Sequence, residues 1–163
     1  MCSMYTYNHG NAPENAMKNR VSDILPYDYN RVKLESGPGS DYINASYIDG
    51  YAQKRAYIAT QGPIAEAFVA FWRMVWEQRT ATIVMVTRLV EDQHILKCHQ
   101  YWPSRGTQQR FGELTISALD EVSLPDFTVR KFSLQQQSQL REVSLVAPLF
   151  FPCVFLLKKV YTS

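Results

Sequence analysis

At 163 residues the chain is long enough for one domain with a real core, and 46% hydrophobic with 20% charged residues is ordinary globular composition, which excludes disorder. Lys+Arg 17 against Asp+Glu 15 leave +2, too balanced to argue for a nucleic acid or an acidic membrane as partner. Cys2, Cys98 and Cys153 form an odd, scattered set without Cys-x-x-Cys or a zinc-type His spacing, so reduced thiols and no metal or other cofactor are expected.

The opening residues, "MCSMYTYNHGNAPENAMKNR", have no apolar core of the kind a secretory signal carries, and residues 1–17 read as a polar, flexible arm. After "ILPYD" comes "RVKL", a short strand, and then "ESGPGS", a turn or loop. "DYINASYID" and "RAYIAT" are β-type runs on either side of Asp49-Gly50, which predicts a hairpin. In "AEAFVAFWRMVWEQR", Phe68, Phe71, Trp72, Val75 and Trp76 fall on one face of a helix, and Pro63 suits its entry.

"ATIVMVTRL" is a continuous apolar run, as expected of a strand covered on both faces. "QYWP", "RFGELTISAL" and "DFTVRKFSL" are three more β-type segments, and "QQQSQ" is a polar turn before the strand "LREVSLV". Strands, one helix and more strands predict an α/β (α+β-like) fold, a mixed twisted sheet with a flanking helix. One helix covers one face only, so the layer on the other face is missing. From Ser144 the alternation gives way to an apolar run broken by Pro148 and Pro152. Leu145 to Leu157 is too short, with two prolines, to cross a bilayer as a helix of about 20 residues.

"KNRVSDILPYDYNRVKL", "SDYINASYIDGYAQKRAYIATQGP" and "FWRMVWEQRTATIVMVTRLVEDQHILKCHQYWP", in this order, resemble the N-terminal half of a classical, receptor-type protein-tyrosine-phosphatase domain. The resemblance covers Lys18 to Val143, so the expected layout is an arm over 1–17, a partial phosphatase domain over 18–143 and a non-homologous apolar tail over 144–163. The C-terminal half of the fold would then be missing. "KCHQYWP", with "SLPDF" further on, is most similar to the membrane-distal domain of leukocyte-antigen-related receptors.

The resemblance implies roles for particular residues. "KNRVSD" matches the loop that recognises phosphotyrosine, where an aspartate hydrogen-bonds the substrate backbone; Asp23 matches it. Val21 stands where the family has a tyrosine stacking on the substrate ring, which would remove about 0.5–1.5 kcal/mol of ring contact. From the residues alone, Val21 reads equally as a core position. Glu91 and Lys97 resemble a loop bordering the active site, against the plainer reading of a solvated charged loop. Gln61 in "TQGP" and Asn44 in "DYINAS" are expected to be structural, Asn44 by satisfying buried backbone groups.

The family's chemistry uses a cysteine thiolate in a cradle of backbone N–H groups, an arginine forking onto the phosphoryl oxygens, and a Trp-Pro-Asp acid. Six positions after Cys2, Cys98 and Cys153 stand Asn8, Ser104 and Lys159, so no Cys-x₅-Arg exists in this sequence. "YWPS" ends in Ser104, which cannot donate a carboxylic proton. Cys98 is expected to be a buried structural thiol, and this chain to lack intrinsic phosphatase activity.

The tail is expected to stand in place of the catalytic half, as a truncated or mis-spliced product would show. Losing a central strand and a helical layer should weaken a fold whose margin is only about 5–15 kcal/mol. The apolar tail could occupy part of that vacancy, although its prolines make a ladder strand there awkward. The alternative function is a non-enzymatic module binding another phosphatase domain or phosphotyrosine proteins, in the cytoplasmic part of a receptor. A peripheral membrane role through the tail is the third and least favoured reading.

Overall fold

The computed structural model describes residues 5–35, 39–91, 95–148 and 155–159. A one-turn helix α1 (Asn8–Asn11) and a 3₁₀ turn (Pro13–Lys18) precede three strands, β1 (Arg31–Lys33), β2 (Tyr42–Ile48) and β3 (Tyr57–Thr60). A short 3₁₀ turn (Ala65–Ala67) leads into α2 (Phe68–Glu77), followed by β4 (Thr80–Met85) and a small ribbon of β5 (Val90–Glu91) and β6 (Ile95–Leu96). The meander β7 (Gln108–Phe111), β8 (Leu114–Ser123), β9 (Phe127–Gln136) and β10 (Gln139–Pro148) follows, and then β11 (Phe155–Lys159).

Nine strands make one mixed sheet in the order β1-β2-β3-β11-β4-β10-β9-β8-β7; β5 and β6 pair separately. All neighbours are antiparallel except β10 and β4, where Leu145 lies opposite Ile83 in parallel register. The expected hairpin joins β2 to β3 across residues 49–56, with Tyr47 opposite Ile58. Asp49 shapes that loop by accepting the Arg55 amide at 2.7 Å.

The core lies between α2 and one face of the sheet. Phe71, Trp72, Val75 and Trp76 are buried as the helical spacing predicts, together with Met74, which the spacing did not place on that face. They pack in one cluster with Ile43, Ala45, Ile58, Ile83, Phe132 and Leu145. Trp72 is fully buried and its indole N–H donates to the Tyr101 carbonyl at 2.8 Å, so its polar edge is satisfied as well.

Several expectations need correction. β4 is not covered on both faces: Ile83 and Met85 are buried, whereas Thr82 and Val84, which alternate with them, stay partly exposed. "QYWP" is no strand but a packed irregular segment, with Tyr101 fully buried beside Phe71 and Trp102 packed edge-on against Tyr101. "RFGELTISAL" is broken by a tight turn at Gly112, whose φ of +61° suits glycine, so that Phe111 pairs with Leu114.

The N-terminal residues 5–18 are not a free arm. Asp28 accepts from the Thr6 hydroxyl, the Asn8 amide, and both the amide and Nδ1 of His9, at 2.8–3.1 Å. Asn15 is buried and donates to the His9 carbonyl at 2.8 Å. Polar side chains dock this segment together with ring contacts of Tyr5 and Tyr7 to Tyr27.

The tail also differs from expectation. β10 runs unbroken through Ser144 to Pro148, paired with β9 along its whole length. β11 then enters the interior of the sheet, with Leu157 opposite Ile58 on one side and Ile83 on the other. Pro148 interrupts no ladder because it ends its strand, and Pro152 lies outside the described residues. β11 thus fills the position between β3 and β4. Among the described residues no further helical layer covers the sheet's second face, and no helix is long and apolar enough to cross a membrane.

Candidate recognition groove

On the second face, the irregular segment 20–26 lies along the start of β2. Asn44 anchors it by donating to the Ile24 carbonyl at 2.8 Å and to Asn19 Oδ1 at 3.1 Å. The Tyr42 hydroxyl donates to Asn19 Oδ1 at 2.7 Å, and burial pushes that phenol up to about 12. A second clamp joins the segment to the "TQGP" turn. Arg20 donates through its amide to Gln61 Oε1 at 2.8 Å, through Nε to the Gly62 carbonyl at 2.9 Å and through Nη2 to the Pro63 carbonyl at 3.1 Å. Gln61 returns a bond from Nε2 to the Lys18 carbonyl at 2.7 Å.

Beyond these clamps the segment and the sheet diverge. Between them opens a groove of about 550 Å³, floored by Ser46, Ile48 and Ala59 and walled by Val21, Ile24 and Lys97. Its apolar side chains are open to solvent, with Val21 at 43%, Ile24 at 68% and Ile48 at 39% exposure. A pocket of this size in water, apolar with few polar groups, is the usual form of a binding site.

The structure brings Val21 and Lys97 to this one groove. Asp23 does not line it; it is exposed, in the turn where the Ile24 amide donates to the Val21 carbonyl at 3.4 Å. Glu91 is placed by its backbone alone, opposite Ile95 in the β5–β6 ribbon, and its side chain lies outside the described part. Val21 is no core residue, which removes the plainer reading of it. Arg20, Ile24 and Ile48 were not singled out from sequence, because nothing in the spacing of exposed aliphatics on a coil announces a shared wall.

Cys98 sits apart from solvent at 0% exposure. Its Sγ lies 3.2 Å from the His99 carbonyl and 3.8 Å from the Pro63 carbonyl, both acceptors for S–H. Burial pushes the thiol up to about 12, against the smaller opposing pull of the Arg20 charge. An anionic sulfur would face carbonyl oxygens there, not N–H groups. Among the described residues no cluster of His, Cys, Asp and Glu is arranged to hold a metal. Cys2 and Cys153 lie outside the described residues.

The protein-tyrosine phosphatase profile matches residues 15–151. The chain belongs to the protein-tyrosine phosphatase family. It is 53% identical over 144 residues to the receptor-type tyrosine-protein phosphatase S of Gallus gallus, which covers 85% of this chain and 9% of that protein. With the human receptor-type tyrosine-protein phosphatase F the identity is 51% over 144 residues, covering 85% of this chain and 7% of the relative. With tyrosine-protein phosphatase Lar of Drosophila melanogaster it is 47% over 136 residues, covering 82% and 7%. The chain therefore spans less than a tenth of the length of these relatives. The receptor-type resemblance agrees with the names of these relatives, and the family match extends past Val143 through the end of β10.

Proposed function

We propose that this phosphatase-family chain does not hydrolyse phosphotyrosine, and that it serves as a recognition segment in the cytoplasmic, membrane-distal part of a receptor-type phosphatase. The observation that carries this is the state of Cys98. Phosphate monoester hydrolysis is among the slowest uncatalysed reactions, demanding accelerations of up to ~10²¹. The family meets that demand with a thiolate cradled by N–H groups. Cys98 is buried, held as a thiol and flanked by carbonyls, and Ser104, not arginine, stands six positions on. A general acid alone contributes only about 10²–10⁴, and "YWPS" supplies none.

Phosphate release from a phosphotyrosine peptide is the test. The chain and its Cys98→Ser variant should both stay at the level of a protein-free blank. Turnover above the blank that disappears in the variant would defeat the proposal.

The groove supports the second part of the reading, a binding module. Its walls are held by Asn44 and Arg20 independently of any catalytic group, so recognition can persist where chemistry does not. Pull-down of an intact receptor phosphatase domain or of phosphotyrosine proteins by the chain, lost on Ile48→Asp, would support it. Equal capture by the variant would count against it.

A further inference from the structure

The docked N-terminal segment builds a second exposed surface, made of aromatic rings. Tyr27 stacks with both Tyr7 and Tyr29, at centroid distances of 5.1 and 5.9 Å and interplanar angles of 24° and 26°. Tyr5 stands edge-on to Tyr27 at 5.4 Å and to Tyr29 at 5.8 Å. All four stay open to solvent, from 37% exposure for Tyr27 to 57% for Tyr5 and Tyr29. None of them lines the groove. Rings that hold one another in place lose little freedom when a partner arrives, which is why clustered tyrosines make effective contact surfaces.

Three observations set the partner's chemistry. The first is which ring faces lack a cation. Lys18, Arg55, Arg130 and Arg141 lie over Tyr42, Tyr47, Trp102 and Trp76 at 3.9–6.0 Å, whereas among the described residues no cation lies over any of these four tyrosines. The second is charge. Asp28, between Tyr27 and Tyr29 in the chain, is held ionised by the Thr6 hydroxyl, the Asn8 and His9 amides and the His9 ring, and no lysine or arginine pairs with it among the described residues. Arg31, the nearest arginine in the chain, is buried and bound to Asp41 at 2.7 Å. Electron-rich ring faces beside a carboxylate attract a cation and repel a phosphate backbone or a second copy of the same surface. The third is shape. The rings touch one another, so no cage opens between them to enclose an ammonium, and flat faces suit the planar guanidinium that stacks on them. We propose that this tyrosine cluster binds an arginine-bearing segment of another protein, with a guanidinium laid on the ring faces beside Asp28. The site goes beyond the groove reading and does not depend on it.

The test uses the full chain and fluorescein-labelled probes. Peptides of one length carry arginine, lysine or citrulline at the same positions, citrulline keeping the planar shape without the charge, and an oligothymidylate serves as the nucleic-acid probe. Anisotropy titrations at low salt should rank the arginine peptide first, by about fivefold over citrulline, the ratio expected of one exposed cation–ring contact, with lysine between them. A Tyr5→Leu, Tyr29→Leu double variant keeps the bulk, removes the two most open rings of the cluster and should bring arginine to within about twofold of citrulline. Tyr51→Leu, at a fully exposed tyrosine outside the cluster, should leave the arginine preference intact. Thermal melts confirm that the variants are folded. Equal or tighter binding of the lysine, citrulline or oligothymidylate probe would overturn the inference, and so would no binding of the arginine peptide. An arginine preference that survives in the double variant, or is lost equally in Tyr51→Leu, would also overturn it. So would a dimer in sedimentation that the double variant dissociates, since the rings would then be covered by a second copy.

Discussion

In a Cys2→Ser, Cys153→Ser background Cys98 is the only thiol, and its reactivity can be worked out in advance. Alkylation requires the thiolate. With the thiol raised from 9.0 to about 12, the ionised fraction at pH 8 falls from roughly 0.1 to roughly 10⁻⁴, a ~10³-fold suppression before burial itself is counted. Iodoacetamide labelling followed by mass spectrometry, in buffer and in guanidinium, should therefore differ by at least ~10³-fold in rate, since local opening must precede reaction. The same shift has a sign in stability. A group whose folded value lies above its unfolded one stabilises fully below the unfolded value, about 9, and the contribution is lost as pH rises towards 12. The expected loss is about 1.4 kcal/mol per pH unit. It should be visible between pH 9 and 10, ahead of the tyrosines, and absent in Cys98→Ala. Labelling in buffer within tenfold of the guanidinium control would refute the reasoning, and with it the claim that Cys98 cannot act as a nucleophile.

Trp72→Ala empties the centre of the core and strips the Tyr101 carbonyl of its donor, so urea denaturation should show a loss of about 3–5 kcal/mol; a loss below about 1 kcal/mol would contradict the packing described. Asp28→Asn leaves one acceptor oxygen for the Thr6, Asn8 and His9 donors, and about 1.5–3 kcal/mol of protection should vanish from the Asn8 and His9 amides in hydrogen exchange. Burial alone would raise the Asp28 carboxyl, but hydrogen bonds from His9, Thr6 and Asn8 outweigh it and hold it well below the usual range. This docking should accordingly be constant above about pH 5 and weaken as pH falls below about 4, a dependence absent in the variant. Leu157→Pro removes an amide from a strand paired on both sides, and should lower stability by about 3 kcal/mol or more in thermal melts.

The helix was legible because its apolar residues repeat at 3.6, and the family was legible because short motifs recur at fixed separations. Residues 5–18 were not, because their order comes from Asp28, Asn15 and Asn19 accepting and donating to specific backbone groups. Composition registers such residues only as polar. "QYWP" misled for the opposite reason: Tyr101 is buried by neighbours far away in sequence, Phe71 and Trp72, without any strand pairing. Val21 and Lys97 were reached through motif matching, yet their shared groove depends on how far segment 20–26 diverges from β2, which only the Arg20 and Asn44 clamps determine. β11 was obscured by counting prolines without knowing where the strand ends would fall.

The placement of β11 has a consequence for biosynthesis. Until residue 159 has left the ribosome, β3 and β4 each present a bare row of amides and carbonyls in what becomes the middle of the sheet. The nascent chain must hold two half-sheets apart, joined through α2, and zip them together last. Any extended segment that reaches those rows first competes with β11, so the yield of native protein should depend on how quickly β11 is translated.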